Sequence, residues 1–156
     1  MVNLLRVWRV CRAEYAESAF SGDGAYRFGG RWSPPGVALV YCAESRSLAA
    51  MEVLVHRMGT KVFRAATWVQ IAADVPTALI EIPPRVPPDW RGQSPVAGAQ
   101  RFGTEWANTE RTAALRVPSA VVLGEFNYLL NPKHADFPKI AFTKPEPFIF
   151  DARLGV

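Results

Sequence analysis

Short stretches of apolar residues, separated by proline, glycine and charged positions, predict many short strands and few helices in this chain. The clearest strand is at residues 37–42, where the run VALVYC is apolar on both faces and is therefore expected at the centre of a sheet. A longer alternating pattern predicts a strand at residues 62–72. Shorter apolar runs predict further strands at 78–82, 113–117, 120–122, 140–142 and 148–150.

Two segments have helical patterns. The first, at residues 48–59, is rich in alanine, leucine and methionine, with Ser45 or Ser47 as its N-terminal cap and Gly59 at its end. The second is a shorter helix at residues 104–111, which Thr104 would cap.

Prolines and glycines are spread over the whole length and keep these elements short. Four prolines fall within the run at residues 83–90, which is therefore predicted to be a loop that packs Trp90 onto the body of the protein. Because short strands outnumber helices and their order is mixed, the sequence predicts an α+β fold. We expect a single compact domain over residues 1–156.

Composition and charge narrow the class of protein. Apolar residues make up 49% and charged residues 21% of the 156 positions, which is typical of a globular domain. The net charge of +4 suits an anionic ligand but is too small to indicate a nucleic-acid-binding surface. The sequence contains neither an apolar stretch of the ~18 residues that a membrane span needs nor the apolar block of a signal peptide. We therefore expect a soluble, cytoplasmic protein.

The cysteines and histidines do not predict a metal site. Cys11 and Cys42 stand alone, His56 and His134 lie far apart, and none has the short fixed spacing of metal ligands. Nothing in the sequence favours a Cys–His nucleophile pair either.

Glu52 is the first candidate for chemistry. It is one of few polar residues in a predicted helix that is apolar on all sides, and such a helix is expected to be buried. A buried carboxylate without a partner is strongly unfavourable, so Glu52 must either be paired with a cation or lie in a polar cleft. Its structural interpretation is an ion pair, and its functional interpretation is a catalytic carboxylate.

The glycine-rich segment at residues 21–32 is the second candidate. It is not a dinucleotide-binding fingerprint, because Arg27 stands where the third glycine would be required. Glycines allow the backbone to approach a ligand, and arginine suits phosphate oxygens, so Arg31 is a candidate ligand-binding residue. The alternative is an ordinary surface loop.

Two further residues have both a structural and a functional interpretation. Tyr41 ends the predicted central strand, where it is either a core aromatic or a ring that stacks on a flat heterocycle. Ser119 lies between Pro118 and Ala120, where it either only terminates a strand or acts as a nucleophile. No nucleophile motif surrounds it, so the sequence gives the second interpretation little support.

Taken together, these residues resemble the RES-domain family. The resemblance rests on five motifs in the family's order: Gly29–Trp32 (GGRW), Val40-Tyr41, the alanine-rich helix with Glu52, residues 117–121 (VPSAV) and residues 127–132 (NYLLNP). The arginine, glutamate and serine for which the family is named fall here on Arg31, Glu52 and Ser119. The match runs from about Trp8 to Leu154, and Ser33 departs from it where asparagine is more usual.

The resemblance implies the toxin of a bacterial toxin–antitoxin pair, with an Xre-type helix-turn-helix antitoxin as its partner. It implies a fold similar to that of ADP-ribosyltransferases, with NAD⁺ consumed as a substrate and no bound cofactor. Arg31, with Gly30 and Trp32, would bind the dinucleotide, and Tyr41 would stack on nicotinamide. Glu52 would stabilise the positive ribose, and Ser119 would orient either Glu52 or the nicotinamide amide. The acceptor of ADP-ribose stays open among water, phosphate and a protein, and a homodimer is a further expectation.

Two functions of other classes remain as alternatives. One is an RNA-targeting toxin, which the pI of 9.4 favours, although the sequence has no basic stripe with interleaved aromatic residues. The other is a non-catalytic module that binds protein or nucleic acid, in which Glu52 is only a buried structural residue.

Overall fold

The fold is built on a mixed sheet whose central strands are long and whose edge strands are short. The structure is a computed structural model and describes residues 1–56, 59–93 and 95–156. Its strands, in chain order, are β1 (Leu4–Arg12), β2 (Val40–Ala43), β3 (Trp68–Pro76), β4 (Ile80–Glu81), β5 (Ala114–Pro118), β6 (Phe126–Leu130), β7 (Ala141–Phe142) and β8 (Glu146–Phe148). The helices of the described residues are α1 (Asp23–Phe28), α2 (Arg46–Val55), α3 (Thr60–Ala65) and α4 (Ala97–Thr109).

The strand order in the sheet is β4-β5-β6-β2-β1-β3-β7, and β8 also pairs with β3. All pairs are antiparallel except β4–β5. Strands β1 and β3 pair along their whole length, from Leu4 opposite Pro76 to Arg12 opposite Trp68. Strands β1 and β2, in contrast, share the single pair Trp8–Ala43, so the sheet parts between them beyond that point.

Each face of the sheet carries its own core. One face buries Val7, Val40, Cys42 and Leu130 in a shared cluster with β3. On the other face α4 packs Ala99 and Trp106 against Leu115, Val117 and Leu129, with Trp32 in the same cluster, and α2 packs Leu48 and Ala49 against Val10 and Ala43. Because α2 and α4 cover the same face, the space between them becomes the site described below.

Several sequence predictions are confirmed. The fold is α+β, and β2, β5 and β7 lie within or overlap the predicted strands. Helix α2 has the predicted cap, since the Ser45 hydroxyl accepts from the Leu48 N–H at 3.1 Å. Trp90 packs onto the body as expected, with its ring stacked at 6.2 Å from that of Trp32. Strand β8 overlaps the predicted 148–150 segment only at Phe148.

Other boundaries are wrong, and each has a local cause. Residues 60–65 form α3 rather than the start of a strand, because a six-residue helix leaves too few positions to distinguish its period from alternation. Gly59 caps the beginning of α3 instead of ending α2, and the predicted helix positions Arg57 and Met58 lie outside the described residues. Helix α4 begins at Ala97, and Thr104 lies inside it, where its hydroxyl donates to the Gln100 carbonyl at 2.7 Å.

The remaining differences concern strands. Residues 77–79 form a 3-10 turn before the short strand β4, and residues 120–122 form a bend rather than a strand. Two strands were missed, β1 and β6. In β1 the cations Arg6, Arg9 and Arg12 recur at every third residue, which hides the strand period of two.

The glycine at position 103 lets α4 approach the segment that carries Trp32. A Cβ at Gly103 would lie 1.8 Å from the Trp32 carbonyl oxygen, and that contact is with backbone that cannot rotate away. The close approach of α4 therefore requires glycine here, and α4 in turn fixes the position of the Trp32 backbone.

We expect Gly103→Ala to lower the free energy of unfolding by about 1–3 kcal/mol or more, because the added methyl forces α4 away from Trp32. The matched control is Gly24→Ala in α1, where nothing lies within 4 Å of the added Cβ. That substitution should stabilise by up to about 1 kcal/mol, since alanine is the better helix former. Urea denaturation of both variants measures the difference, and equal stability of the two would contradict the steric interpretation.

Candidate active site

A cleft of about 1140 Å³ opens where β1 and β2 part, on the face that α2 and α4 cover. Residues from β1, the glycine-rich segment, β2 and α2 line it, together with residues near the ends of β5 and β6. Five of the site residues predicted from the sequence line the cleft: Gly30, Arg31, Trp32, Tyr41 and Glu52. The sixth, Ser119, does not. Ser119 lies directly behind this wall, since Pro118 and Ala120 on either side of it line the cleft.

Glu52 lies on the cleft side of α2 and is half-buried. The helix is not buried on all sides as expected, because Met51 and Val55 are 42% and 58% exposed. Leu48 and Ala49 form its inward face against the sheet. The apolar surface of α2 therefore faces both the core and the cleft. Of the two environments that the sequence predicted for Glu52, an ion pair and a polar cleft, the structure shows the cleft.

The carboxylate of Glu52 is held by two neutral donors rather than by a cation. Both the Ser119 hydroxyl, at 3.1 Å, and the Asn127 side-chain amide, at 2.7 Å, donate to its Oε1. Among the described residues no hydrogen bond reaches Oε2, which leaves that oxygen for the cleft. The interpretation of Glu52 as half of a buried ion pair is not supported by these contacts.

The Ser119 hydroxyl is arranged as a donor. Ser119 is fully buried, and its Oγ accepts from the N–H groups of Val121 and Val122, both at 3.1 Å. Because a hydroxyl has two lone pairs and one hydrogen, its proton is left to point at Glu52. A serine in this arrangement orients a carboxylate and is poorly placed as a nucleophile.

The glycine-rich segment is an ordered wall of the cleft and contains the short helix α1. Gly30 passes directly over Tyr41, where an added Cβ would lie 2.6 Å from the tyrosine hydroxyl. Gln100 of α4 donates to the Gly30 carbonyl at 3.1 Å from the other side. Gly30 therefore approaches Tyr41 and α4 closely, and the approach of this backbone to a ligand stays a prediction.

Tyr41 supports that segment through its hydroxyl group. The Trp32 N–H donates to Tyr41 Oη at 3.2 Å, and the Ser33 hydroxyl lies 2.7 Å from the same oxygen. Burial raises the pKa of Tyr41 to about 12, against the lowering effect of these two hydrogen bonds. Tyr41 is therefore a neutral phenol at physiological pH. Ser33, its hydrogen-bond partner, is fully buried.

Arg31 and Trp32 have different surroundings. The Arg31 Nη1 atom donates to the carbonyls of Trp90, at 2.8 Å, and Gly92, at 2.7 Å, while no carboxylate pairs with it among the described residues. The guanidinium is thus held at the cleft with its charge uncompensated.

The Trp32 side chain is only 2% exposed and packs in the core. Its part in the site is chiefly to anchor the backbone beside Arg31.

Arg9 of β1 also lines the cleft and was not singled out from the sequence. Its Nη1 donates to the Tyr41 carbonyl at 3.0 Å, and its Nε is buried without a partner among the described residues. The contact bridges the gap where β1 has left β2. The repeated arginines of β1 are the one sequence signal that could have identified Arg9, and their spacing matches no specific motif.

The remaining titratable residues do not form a nucleophile or a metal centre. Burial raises the pKa of the Cys42 thiol to about 12 and also raises that of Cys11, which keeps both protonated. His134 is buried away from the cleft, where its Nδ1 accepts from the Asp136 N–H, while Nε2 lies 2.8 Å from the Glu110 carbonyl. His56 is exposed at the end of α2, where it lines the cleft. In the described part of the chain, no cluster of three potential metal ligands occurs, and no helix is long and apolar enough to cross a membrane.

Comparison with known proteins defines the class to which this fold and site belong. The RES domain family model matches residues 6–151, which is nearly the whole chain. The chain therefore belongs to the RES domain family, as the motifs around Gly30, Glu52 and Ser119 predicted.

Curated relatives cover almost the full length. The chain is 35% identical over 151 residues to the protein "Toxin Res" of Yersinia enterocolitica, covering 96% of this chain and 99% of that protein. It is 36% identical over 152 residues to the "Prs ADP-ribosylating toxin" of a Sphingobium strain, covering 94% of each. A "Toxin Res" of Photorhabdus laumondii is 38% identical over 151 residues, covering 95% of this chain and 96% of that protein.

A solved structure has the same fold at low sequence identity. It is a chain in the crystal structure of the M. tuberculosis MbcT–MbcA toxin–antitoxin complex, with a TM-score of 0.72 and 19% identity over 95% of this chain and 86% of that chain. The similarity supports the α+β assignment across the whole sheet.

Proposed function

We propose that this protein is a toxin of a bacterial toxin–antitoxin pair that cleaves the nicotinamide–ribose bond of NAD⁺ and transfers ADP-ribose to an acceptor. One observation carries the proposal, the Glu52 carboxylate in the cleft with one oxygen fixed by Ser119 and Asn127 and the other free. The relatives named as toxins, one of them as an ADP-ribosylating toxin, support the same class of activity.

The reaction needs a fixed negative charge more than it needs a nucleophile. When the bond between the ribose C1′ and the nicotinamide nitrogen breaks, its electron pair goes to the ring, which becomes neutral, and the ribose becomes oxocarbenium-like. The free Oε2 of Glu52 would accept a ribose hydroxyl hydrogen bond and stabilise the developing positive charge. The acceptor then attacks C1′, and water, phosphate and a protein side chain all remain compatible with the site.

The cations of the cleft fit the rest of the dinucleotide. Arg31 is held by carbonyl groups alone, so its remaining N–H groups are free to bind pyrophosphate oxygens. Arg9 of β1 adds a second guanidinium to the lining of the cleft. A ligand with an anionic pyrophosphate and a cationic nicotinamide complements two arginines and one carboxylate, and the Tyr41 ring would stack on the nicotinamide.

The decisive experiment is to incubate the purified protein with NAD⁺, with and without phosphate, and to follow nicotinamide release by chromatography. We expect release by the wild type and a ~10²- to 10³-fold slower reaction with Glu52→Gln, an effect of about 3–4 kcal/mol on the transition state. Glutamine keeps an acceptor oxygen for Ser119 and Asn127, so the melting temperature should be preserved.

The matched control for this substitution is Glu105→Gln, at an exposed position of α4. It should leave turnover unchanged. Full activity of Glu52→Gln, or a large drop in its melting temperature, would contradict a catalytic role for Glu52.

For Arg31→Ala we expect a 10- to 100-fold higher KM for NAD⁺, because the substitution removes a charge-assisted contact that contributes about 1.5–3 kcal/mol. Arg31→Lys should restore little, since an ammonium cannot replace the planar fork. Arg27→Lys is the control, because that side chain is 66% exposed, pairs with Asp23 and does not itself line the cleft. A lysine variant that binds and turns over NAD⁺ like the wild type would exclude the proposed pyrophosphate contact.

We further propose that an Xre-type antitoxin inhibits the protein by occupying this cleft. The cationic side chains at the cleft would attract an acidic segment of the partner into the pyrophosphate position. The affinity of the purified pair for NAD⁺, measured by calorimetry, should then be strongly reduced relative to the free protein. Unchanged NAD⁺ affinity in the complex would rule out occlusion.

A further inference from the structure

Asn127 was not predicted as a functional residue, yet it makes the shortest hydrogen bond to Glu52, at 2.7 Å. It lies on β6 opposite Ala43 of β2 and Val117 of β5. Those pairings use backbone groups, so the strand does not require an amide side chain at this position.

The orientation of the Asn127 amide is fixed by chemistry. An ionised carboxylate only accepts hydrogen bonds, so the nitrogen of the amide must face Glu52 and the oxygen must face away. That oxygen, Oδ1, is then buried and has no partner among the described residues. A buried acceptor without a donor is unfavourable for folding.

An apolar side chain of the same size would avoid this unfavourable group. The substitution would also take one donor from Glu52, but Oε1 keeps the Ser119 hydroxyl and the half-buried carboxylate is open to the cleft, so this loss is offset by removal of the unsatisfied Oδ1. The presence of asparagine at position 127 is therefore not explained by stability, and its one strong contact is with the carboxylate of the cleft.

We infer that Asn127 is a positioning residue for the reaction. It acts together with Ser119 to fix Oε1 of Glu52, so that Oε2 is presented to the cleft, and it does so at the expense of stability. Two donors from separate segments, at the end of β5 and on β6, fix the rotation of the carboxylate in a way that one donor cannot. The inference rests on the proposed cleavage of NAD⁺ by Glu52.

The test is Asn127→Leu, which keeps the approximate volume and removes the donor. We expect a melting temperature equal to or above that of the wild type. The kcat for nicotinamide release should fall by about 10-fold or more with KM for NAD⁺ little changed, because a mispositioned carboxylate affects the transition state rather than ground-state binding. The matched control is Asn108→Leu, at an exposed position of α4, which should change neither quantity.

A double-variant comparison separates positioning from other effects. If Asn127 acts through Glu52, Asn127→Leu should reduce the activity of the Glu52→Gln protein far less than it reduces that of the wild type. Equal reductions in both backgrounds would overturn the inference. A lower melting temperature of Asn127→Leu with an unchanged kcat would overturn it as well, since it would show a purely structural role.

A measurement without substrate distinguishes failure of this inference from failure of the proposed function. In NMR spectra of the free protein, the side-chain NH₂ signals of Asn127 should shift in Glu52→Gln, and those of Asn108 should not. If the wild type consumes no NAD⁺ but the signals shift, the proposed reaction is wrong while the contact stands. If the signals do not shift, Asn127 does not hold Glu52 and the positioning role is excluded.

Discussion

The separation of β1 from β2 is the constraint on which the rest of the site depends. Continued pairing beyond Trp8 and Ala43 would place Val10 opposite Tyr41 and close the sheet over the cleft. The strands part instead, and the Arg9 guanidinium takes up the Tyr41 carbonyl that a backbone N–H would otherwise satisfy. A gap in the middle of a sheet leaves backbone groups without partners, so it persists only where side chains supply replacements. Here the replacement is itself a cation at the site.

The walls of the cleft around this gap are fixed by buried side chains whose polar groups are hydrogen-bonded within the protein. The hydroxyl of Tyr41 binds the backbone at Trp32 and the side chain of Ser33. Trp32 in turn packs in the core against α4, whose Gly103 allows the contact. Interiors of this density transmit small displacements, so the position of Arg31 depends in part on Ser33 and Gly103, which do not line the cleft. Ser33 belongs to this internal support through its contact with the Tyr41 hydroxyl.

Features that depend on residues close together in the sequence could be predicted. Features that depend on contacts between distant residues could not. The capping serine and the composition of α2 placed Glu52 on a helix because those signals act within a few residues. Whether that helix faced a core or a cleft depended on Ser119 and Asn127, which lie 67 and 75 positions away in sequence. Strand β1 was missed because its arginines, which contact Asp74, the Tyr41 carbonyl and Glu14, recur at every third residue and hide the strand period of two.

The charges of the cleft also bear on the alternative functions. Phosphodiester cleavage of RNA by side chains requires an acid–base pair at the scissile bond, typically supplied by histidine. His134 is committed to backbone contacts away from the cleft, so His56, which lines the cleft at the end of α2, has no second histidine beside it. A purely structural Glu52 would be expected to use both carboxylate oxygens, whereas here both donors meet one oxygen and the described residues leave the other to the cleft. A cleft lined by an open carboxylate and by uncompensated guanidinium groups suits a ligand that carries both a positive and a negative region, which is the charge pattern of NAD⁺.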